Sequence, residues 1–320
     1  MKKIDTRIIL CYLAIYIIWG STYLAIKWGV ETIPPFYLVS FRFLIGGIFF
    51  ILVPVITGRL RSVPSSREIL SSVFLGTFLL LLGNGLVSWG EQKVDSYLAA
   101  LIISSTPFCV AFFNWIFFRE KLSKIRLSGM ILGIAGVGLI LYNGNSSFHF
   151  NFHLGIILAG FLFWGLATSV GHKLKVHPNN LVNSGMQMVY VGVAAFILSH
   201  FLYNPLPQII HDFSARSLTG LLYLTVFGSI GFYAYNYLLS HEPSIRISSY
   251  AIINPLIAVI LAVFLGNEKL PVMLFIGMPV ILSGLAFMMY GETIISFLKK
   301  EKTIESIIED EEFDSKITED

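Results

Sequence analysis

Two stretches of this chain share one design at a fixed separation. The run from Ser96 to Ser123 is apolar, carries Thr106-Pro107 near its middle and ends in Arg119-Glu120-Lys121-Leu122. Asn254-Pro255 and then Asn267-Glu268-Lys269-Leu270 repeat that order. Pro107 and Pro255, Glu120 and Glu268, Lys121 and Lys269, and Leu122 and Leu270 are each 148 positions apart. A lone proline in an apolar run says little, but a matched set at one offset marks an internal duplication. The fold must therefore be built from two copies of one unit.

The repeat extends in both directions. Gly129, Met130 and Gly136 return as Gly277, Met278 and Gly284 at the same offset, and Gly83 pairs with Gly231. Nearer the start of each copy the offset is 145, which pairs Trp19-Gly20 with Trp164-Gly165, Arg42 with Gln187, and Gly47 with Gly192. The three-residue change falls between Tyr203 and Arg216, in a connection where insertions are tolerated.

The unit is a membrane unit. Hydrophobic residues make up 55% of the chain and charged ones only 13%, against about 25% charged in a soluble domain. Apolar stretches of about 20 residues recur throughout, enough to cross about 30 Å of hydrocarbon as helix. Ten spans are expected, near 8–27, 36–57, 69–89, 96–118, 126–142, 154–172, 184–203, 217–239, 247–266 and 272–290. The breaks between them hold turn chemistry such as Pro34-Pro35, Asn143-Gly144-Asn145 and His177-Pro178. Five spans per copy is an odd number, so the second copy crosses upside down. The expectation is an all-α integral membrane protein of two inverted five-helix repeats, 8–143 and 154–291, between a short N-terminus (1–7) and an acidic tail (292–320). Such a plan suits carriers that open alternately to either side of a midplane site.

Lys2, Lys3 and Arg7 precede the first run, but it is long for a signal peptide and lacks a small-residue cleavage site, which favours a retained span. With the N-terminus inside, 17 Lys and Arg fall on the inner side and four on the outer. That bias puts both termini in the cytoplasm. The last residues, EDEEFDSKITED, read as a mostly disordered tail, with Lys299, Lys300 and Lys302 facing anionic lipid. A net charge of +3 gives no argument for nucleic acid, and Cys11 and Cys109 read as small core residues.

Trp19-Gly20-Ser21-Thr22 in span one, Pro34-Pro35-Phe36 and Phe41-Arg42-Phe43 at the start of span two, Pro107 and Pro255, and the two Glu-Lys-Leu segments resemble the drug/metabolite transporter superfamily. The nearest branch is similar to the EamA-type ten-span exporters of bacterial inner membranes. The resemblance covers residues 8 to 290. It implies a cavity surrounded by spans one, three, four, six, eight and nine. It further implies export of small metabolites, amino acids often among them, or of drugs. It names no substrate.

Among individual residues, Arg42 is the most informative. It lies about 10 Å along span two, where a charge must pair, snorkel or line water. It reads as an anchor for a substrate carboxylate, as a gate partner of Glu91 or Asp95, or as a structural cation. Thr106-Pro107 and Asn254-Pro255 read as paired kinks that free carbonyls near the repeat interface, or as packing kinks. Asn84 and Ser88 in span three and Asn236 in span eight, all near glycines, suit either cavity lining or interhelical bonding. Trp19 and Trp164, away from the span ends, suit cavity walls or packing, as does Tyr233 more weakly. Ser21 and Thr22 join the list of pathway residues. Glu91, Asp95, Glu120 and Glu268 lie near span ends as gate or coupling candidates.

Gly129 and Gly133 form a GxxxG, either a helix-packing face or a homodimer contact. His149 and His153 are four apart, but read as surface. No nucleophile triad, phosphate loop or metal-spaced His/Cys set suggests an enzyme, and no cofactor is expected. The partners expected are a small-molecule substrate and the lipid bilayer. The alternatives are a lipid-linked or nucleotide-sugar translocator, or a non-transporting membrane sensor or scaffold that uses the tail.

Overall fold

The structure is a computed structural model that describes residues 5–60, 62–142 and 151–317, with side chains as far as Ser296. The Asn143-Gly144-Asn145 turn and His149 lie outside the described residues. Among the described residues ten helices are long and apolar enough to cross a membrane: Thr6–Gly29, Pro35–Ile56, Ser66–Gly90, Ser96–Phe118, Lys124–Leu141, Phe152–Gly171, Asn180–Leu202, Ala215–His241, Ser244–Phe264 and Val272–Ser296. They are called spans one to ten below. No strand occurs among the described residues.

Local chemistry sets the helix starts. Pro35 begins span two, where its missing N–H costs nothing. Ser65 and Glu68 form a reciprocal capping box at the start of span three. Asn151 and Asn179 cap spans six and seven through their side-chain oxygens. Span ten continues as helix to Ile317. The tail is therefore helical along most of its length, not the disordered segment its acidity suggests; Glu-, Lys- and Ile-rich sequence is good helix former once a preceding span has nucleated it.

The packing has the symmetry of the sequence. Span two lies along span seven and span five along span ten, each pair made of repeat mates. Span one packs on spans eight and nine, while span six packs on spans three and four, and spans four and nine meet each other. Glycine brings span five against span ten. A Cβ on Gly129 would stand 2.6 Å from the Gly284 carbonyl, and one on Gly277 2.9 Å from the Gly136 carbonyl. Gly129 and Gly136 are the repeat mates of Gly277 and Gly284, so the contact is reciprocal. The GxxxG face of span five is thus occupied within the chain.

Four spans depart from simple α-helix. Span three is π-helical from Gly76 to Asn84 and span eight from Leu224 to Gly228. Gly76 and Leu224 are 148 apart, so both copies carry the wider turn at the same place. Span four breaks at Ser105, and Thr106-Pro107 opens its second helix. Span nine breaks at Ser248-Ser249, with Pro255 inside the helix Tyr250–Phe264. The paired kinks expected at the two prolines are therefore not equivalent. Pro107 sits on a first turn, whereas the span-nine break comes six residues before Pro255.

Candidate functional site

A narrow cavity of about 60 Å³ lies between the two copies. Spans one, three, four, six, eight and nine all contribute to it, and span two adds Arg42 and Phe43. Thr22, Tyr23, Arg42, Asn84 and Tyr250 with the two indoles of Trp19 and Trp164 supply its polar groups, and the remaining wall is aliphatic or, at Phe43 and Phe232, aromatic.

Arg42 is the only charged residue in that lining. It is 4% exposed, so it does not snorkel. Its Nη2 donates to the Asn84 amide oxygen, its guanidinium lies 4.2 Å from the Phe43 ring centre, and its Nε has no partner. The ion pairs among the described residues are Arg126–Glu292, Arg216–Glu31 and Arg246–Glu242, so Arg42 is paired with neither Glu91 nor Asp95. Asp95 is exposed at the start of span four. Glu91 is fully buried with both carboxyl oxygens unpartnered, and burial pushes its carboxyl well above the usual range, against the opposing pull of Lys27.

Much of the rest of the lining is aromatic. Trp19 packs edge-on to Trp164 at 5.3 Å and to Tyr250 at 5.1 Å, and lies 4.9 Å from Tyr235. The Trp164 Nε1 and the Tyr250 hydroxyl are buried without a partner. Buried donors are normally satisfied, so these two and the Arg42 Nε, all on residues that line one cavity, mark a place suited to an acceptor-rich guest.

In the second copy the mate of Arg42 lies in a side-chain network away from the cavity, with only its Oε1 left unpartnered. Gln187, the mate of Arg42, donates to Asn183 at 3.0 Å and to Asn236 at 3.4 Å, and Asn236 donates to Ser184 at 3.1 Å. Asn236 thus sits in an interhelical network and not on the cavity wall. Several other pathway candidates also lie off the wall. Ser21 meets the Tyr223 hydroxyl at 2.6 Å, and Ser88 donates to the Asn84 carbonyl at 3.0 Å. Thr106 bonds back to Ile103, Pro107 and Pro255 are buried in helix packing, and Tyr233 packs on Phe50. Asn254, with its amide turned to donate, reaches the Tyr16 carbonyl at 2.9 Å.

Sequence reasoning did not single out Tyr23, Tyr250 or Lys27, and it named Phe43 only as part of the segment that carries the family resemblance. Tyr250 follows the break in span nine, and only the structure shows that break. Lys27 could have been flagged as a cation at a span end. Its Nζ donates to the carbonyls of Glu91 and Val94 at 2.9 and 2.8 Å.

Two more of the candidate acids lie just past span ends, away from the cavity lining. Glu268 accepts from the backbone N–H of Ser96 at 3.1 Å and of Tyr97 at 3.4 Å. Glu120 accepts from the Asn114 side chain at 3.1 Å. It borders a vestibule of about 560 Å³ on the face that carries the chain ends, beside His172, Glu242, Ser244 and Ile245.

A sequence profile described as the EamA-like transporter family matches residues 6–142 and again 152–290. The chain is 32% identical to the inner membrane transporter YedA of Escherichia coli K12, over 87% of this chain and 89% of that one. It is 24% identical to the protein PagO of Salmonella typhimurium, over 81% and 84%. A chloroplastic WAT1-related protein of Arabidopsis thaliana is also 24% identical, over 87% and 68%. A protein of known crystal structure shares the fold with a TM-score of 0.63 at 18% identity, over 88% of this chain and 95% of its own.

Proposed function

Because this chain belongs to the EamA-like transporter family and is a multi-pass inner membrane transporter, we propose that it exports small organic molecules, amino acids and related metabolites or drugs among them, through the cavity around Arg42. Both chain ends then face the cytoplasm, and the two inverted halves alternate access to that cavity.

The observation that carries this reading is the state of Arg42. A guanidinium inside a span costs about 2.5–3.5 kcal/mol on insertion scales. Here it is buried in a cavity wall with a neutral amide as partner and no carboxylate. A substrate carboxylate is the natural completion of that site, since arginine binds carboxylates through paired, charge-assisted hydrogen bonds. The aromatic wall of Trp19, Trp164 and Tyr250 then receives the apolar body of the guest. One cation is little for a nucleotide sugar or lipid pyrophosphate, which favours smaller cargo.

Thermal stability of the purified protein against a panel of small carboxylates, amines and neutral compounds tests the reading. Ligands that bind the native state raise its melting temperature. Carboxylates should stabilise the parent and lose that effect in Arg42→Ala. Stabilisation by amines alone, or equally in both proteins, would contradict it.

A further inference from the structure

Resting on the alternating-access reading, we infer that Glu268 and Glu120 form the two ends of one switch. Each carboxylate closes its own mouth by capping the start of the fourth span of the other copy. Lys27 and His172 act as the second link at the same two ends.

At the end away from the chain termini both links are made. Glu268, just past span nine, accepts from the N–H groups of Ser96 and Tyr97, which open span four. Span four's own preceding residue, Asp95, makes no capping bond, so this carboxylate is the acceptor that its N-terminus has. An anion there meets exposed donors and the positive end of the helix dipole. Beside it Lys27, from span one, clamps the carbonyls of Glu91 and Val94 in the connection between spans three and four.

The other end carries the mates of all these residues in an open arrangement. Glu120 is the mate of Glu268, Ser244 of Ser96 and Ile245 of Tyr97, each at 148; Leu239 and Glu242 are the mates of Glu91 and Val94; His172 is the mate of Lys27 at 145. Glu120, His172, Leu239, Glu242, Ser244 and Ile245 all line the vestibule of about 560 Å³. Asn114 stands between Glu120 and span nine, its Nδ2 donating to Glu120 at 3.1 Å and to the Ser244 hydroxyl at 3.4 Å, so Glu120 makes no direct cap, and His172 Nδ1 has no partner. The start of span nine has Pro243 at its cap position and no side-chain cap, so its amides await an acceptor as those of span four would without Glu268.

The backbones that carry the two glutamates match. Arg119 and Asn267, just before them, both adopt φ 54°, an uncommon left-handed turn for residues other than glycine. The amide of Glu120 donates to the Asn114 carbonyl and that of Glu268 to the Ala262 carbonyl, again 148 apart. Local geometry therefore presents both carboxylates alike. They differ in that Asn114, whose mate is Ala262, stands between Glu120 and Ser244, while nothing separates Glu268 from Ser96. Closing the vestibule brings Ser244 to Glu120, while opening the far mouth takes Ser96 from Glu268.

Cysteine accessibility in purified protein reads this directly and needs no substrate, so it stands apart from the transport reading. In a Cys11→Ala, Cys109→Ala background, Ser96→Cys and Ile245→Cys are placed one at a time and labelled with a hydrophilic maleimide; Ser96 is buried, whereas Ile245 is half-buried on the vestibule wall. The parent should label faster at 245 than at 96. Glu268→Gln should raise labelling at 96 and lower it at 245, by roughly tenfold for the loss of one charge-assisted bond. Glu120→Gln should drive both rates the other way. Lys27→Met serves the same end as Glu268→Gln and must shift labelling in the same direction. Opposite shifts from the two glutamate variants support the switch; no shift, or shifts in one direction, overturns it. If the labelling shifts while no compound is ever exported, the transport reading alone fails.

Discussion

The guanidinium of Arg42 is bound to the amide oxygen of Asn84, one cavity-lining span to the next, with no acid in contact. The site is thus electrically incomplete in a way that sets its selectivity. Asn84→Asp supplies the missing charge from within at nearly constant shape. The variant should fold with stability equal to or above the parent, since a paired buried cation is less costly than an unpaired one. It should lose export of anionic cargo by about 10-fold or more. Export rate and melting temperature measured on the same preparation check both parts.

Spans five and ten provide a packing test with an internal control. A Cβ on Gly284 would lie 2.5 Å from the Gly133 nitrogen and 2.6 Å from the Gly129 carbonyl, both rigid backbone atoms. Gly284→Ala should destabilise the protein by about 1–3 kcal/mol, the usual range for overpacking. Gly138 on span five meets nothing within 4 Å. Gly138→Ala should therefore leave stability unchanged or improve it by about 0.4–1 kcal/mol. Thermal unfolding in detergent distinguishes the two.

Glu91 gives a pH prediction. Burial raises its carboxyl in the folded protein well above the ordinary range, so folding favours the protonated form. The unfolded chain releases that proton first as pH rises. Glu91 therefore costs stability above the ordinary carboxylate pKa, and the cost grows until pH reaches the folded value. Glu91→Gln should raise the melting temperature at neutral pH, with the gain shrinking to nothing as pH falls below the ordinary carboxylate range. Melting curves of both proteins across pH read the effect.

The helix beyond Ser296 separates a carrier from a scaffold. Within the described side chains, Glu292 is the last residue in an ion pair, with Arg126 at 2.9 Å and both groups partly exposed, a bond of little weight. Truncation after Ser296 should leave export within about twofold of the parent. Export measured at matched membrane abundance checks this; abolition would favour a tail-dependent role.

Much of the fold was legible because the matched Pro and Glu-Lys-Leu sets fix the duplication and hydropathy fixes the spans. Arg42 was legible for a related reason, since a charge inside an apolar run has few explanations. The π-helical turns at Gly76 and Leu224 were not, because the i→i+5 choice comes from tertiary packing and leaves no residue signature. The division between Asn84 on the cavity wall and Asn236 within a side-chain network was equally hidden. Both are asparagines near glycine on repeat-related spans, but Asn84 is the mate of Phe232 and Asn236 that of Ser88, and only the packing shows which of the two positions faces the cavity. Glu120 and Glu268 sit in the same Glu-Lys-Leu segment, but Glu268 caps a helix start directly while Glu120 is bound by Asn114, whose mate is Ala262, and the sequence alone does not bring Asn114 to Glu120.

The most direct test of the central claim is metabolite release. The protein, its Arg42→Ala variant and an empty vector are expressed in a bacterial host at matched membrane abundance, and the medium is profiled by mass spectrometry. The account predicts at least one small organic acid or zwitterion that accumulates outside only with the parent protein and returns to the vector level in Arg42→Ala. Equal release by the parent and Arg42→Ala would contradict the assignment of the pathway to the cavity around Arg42.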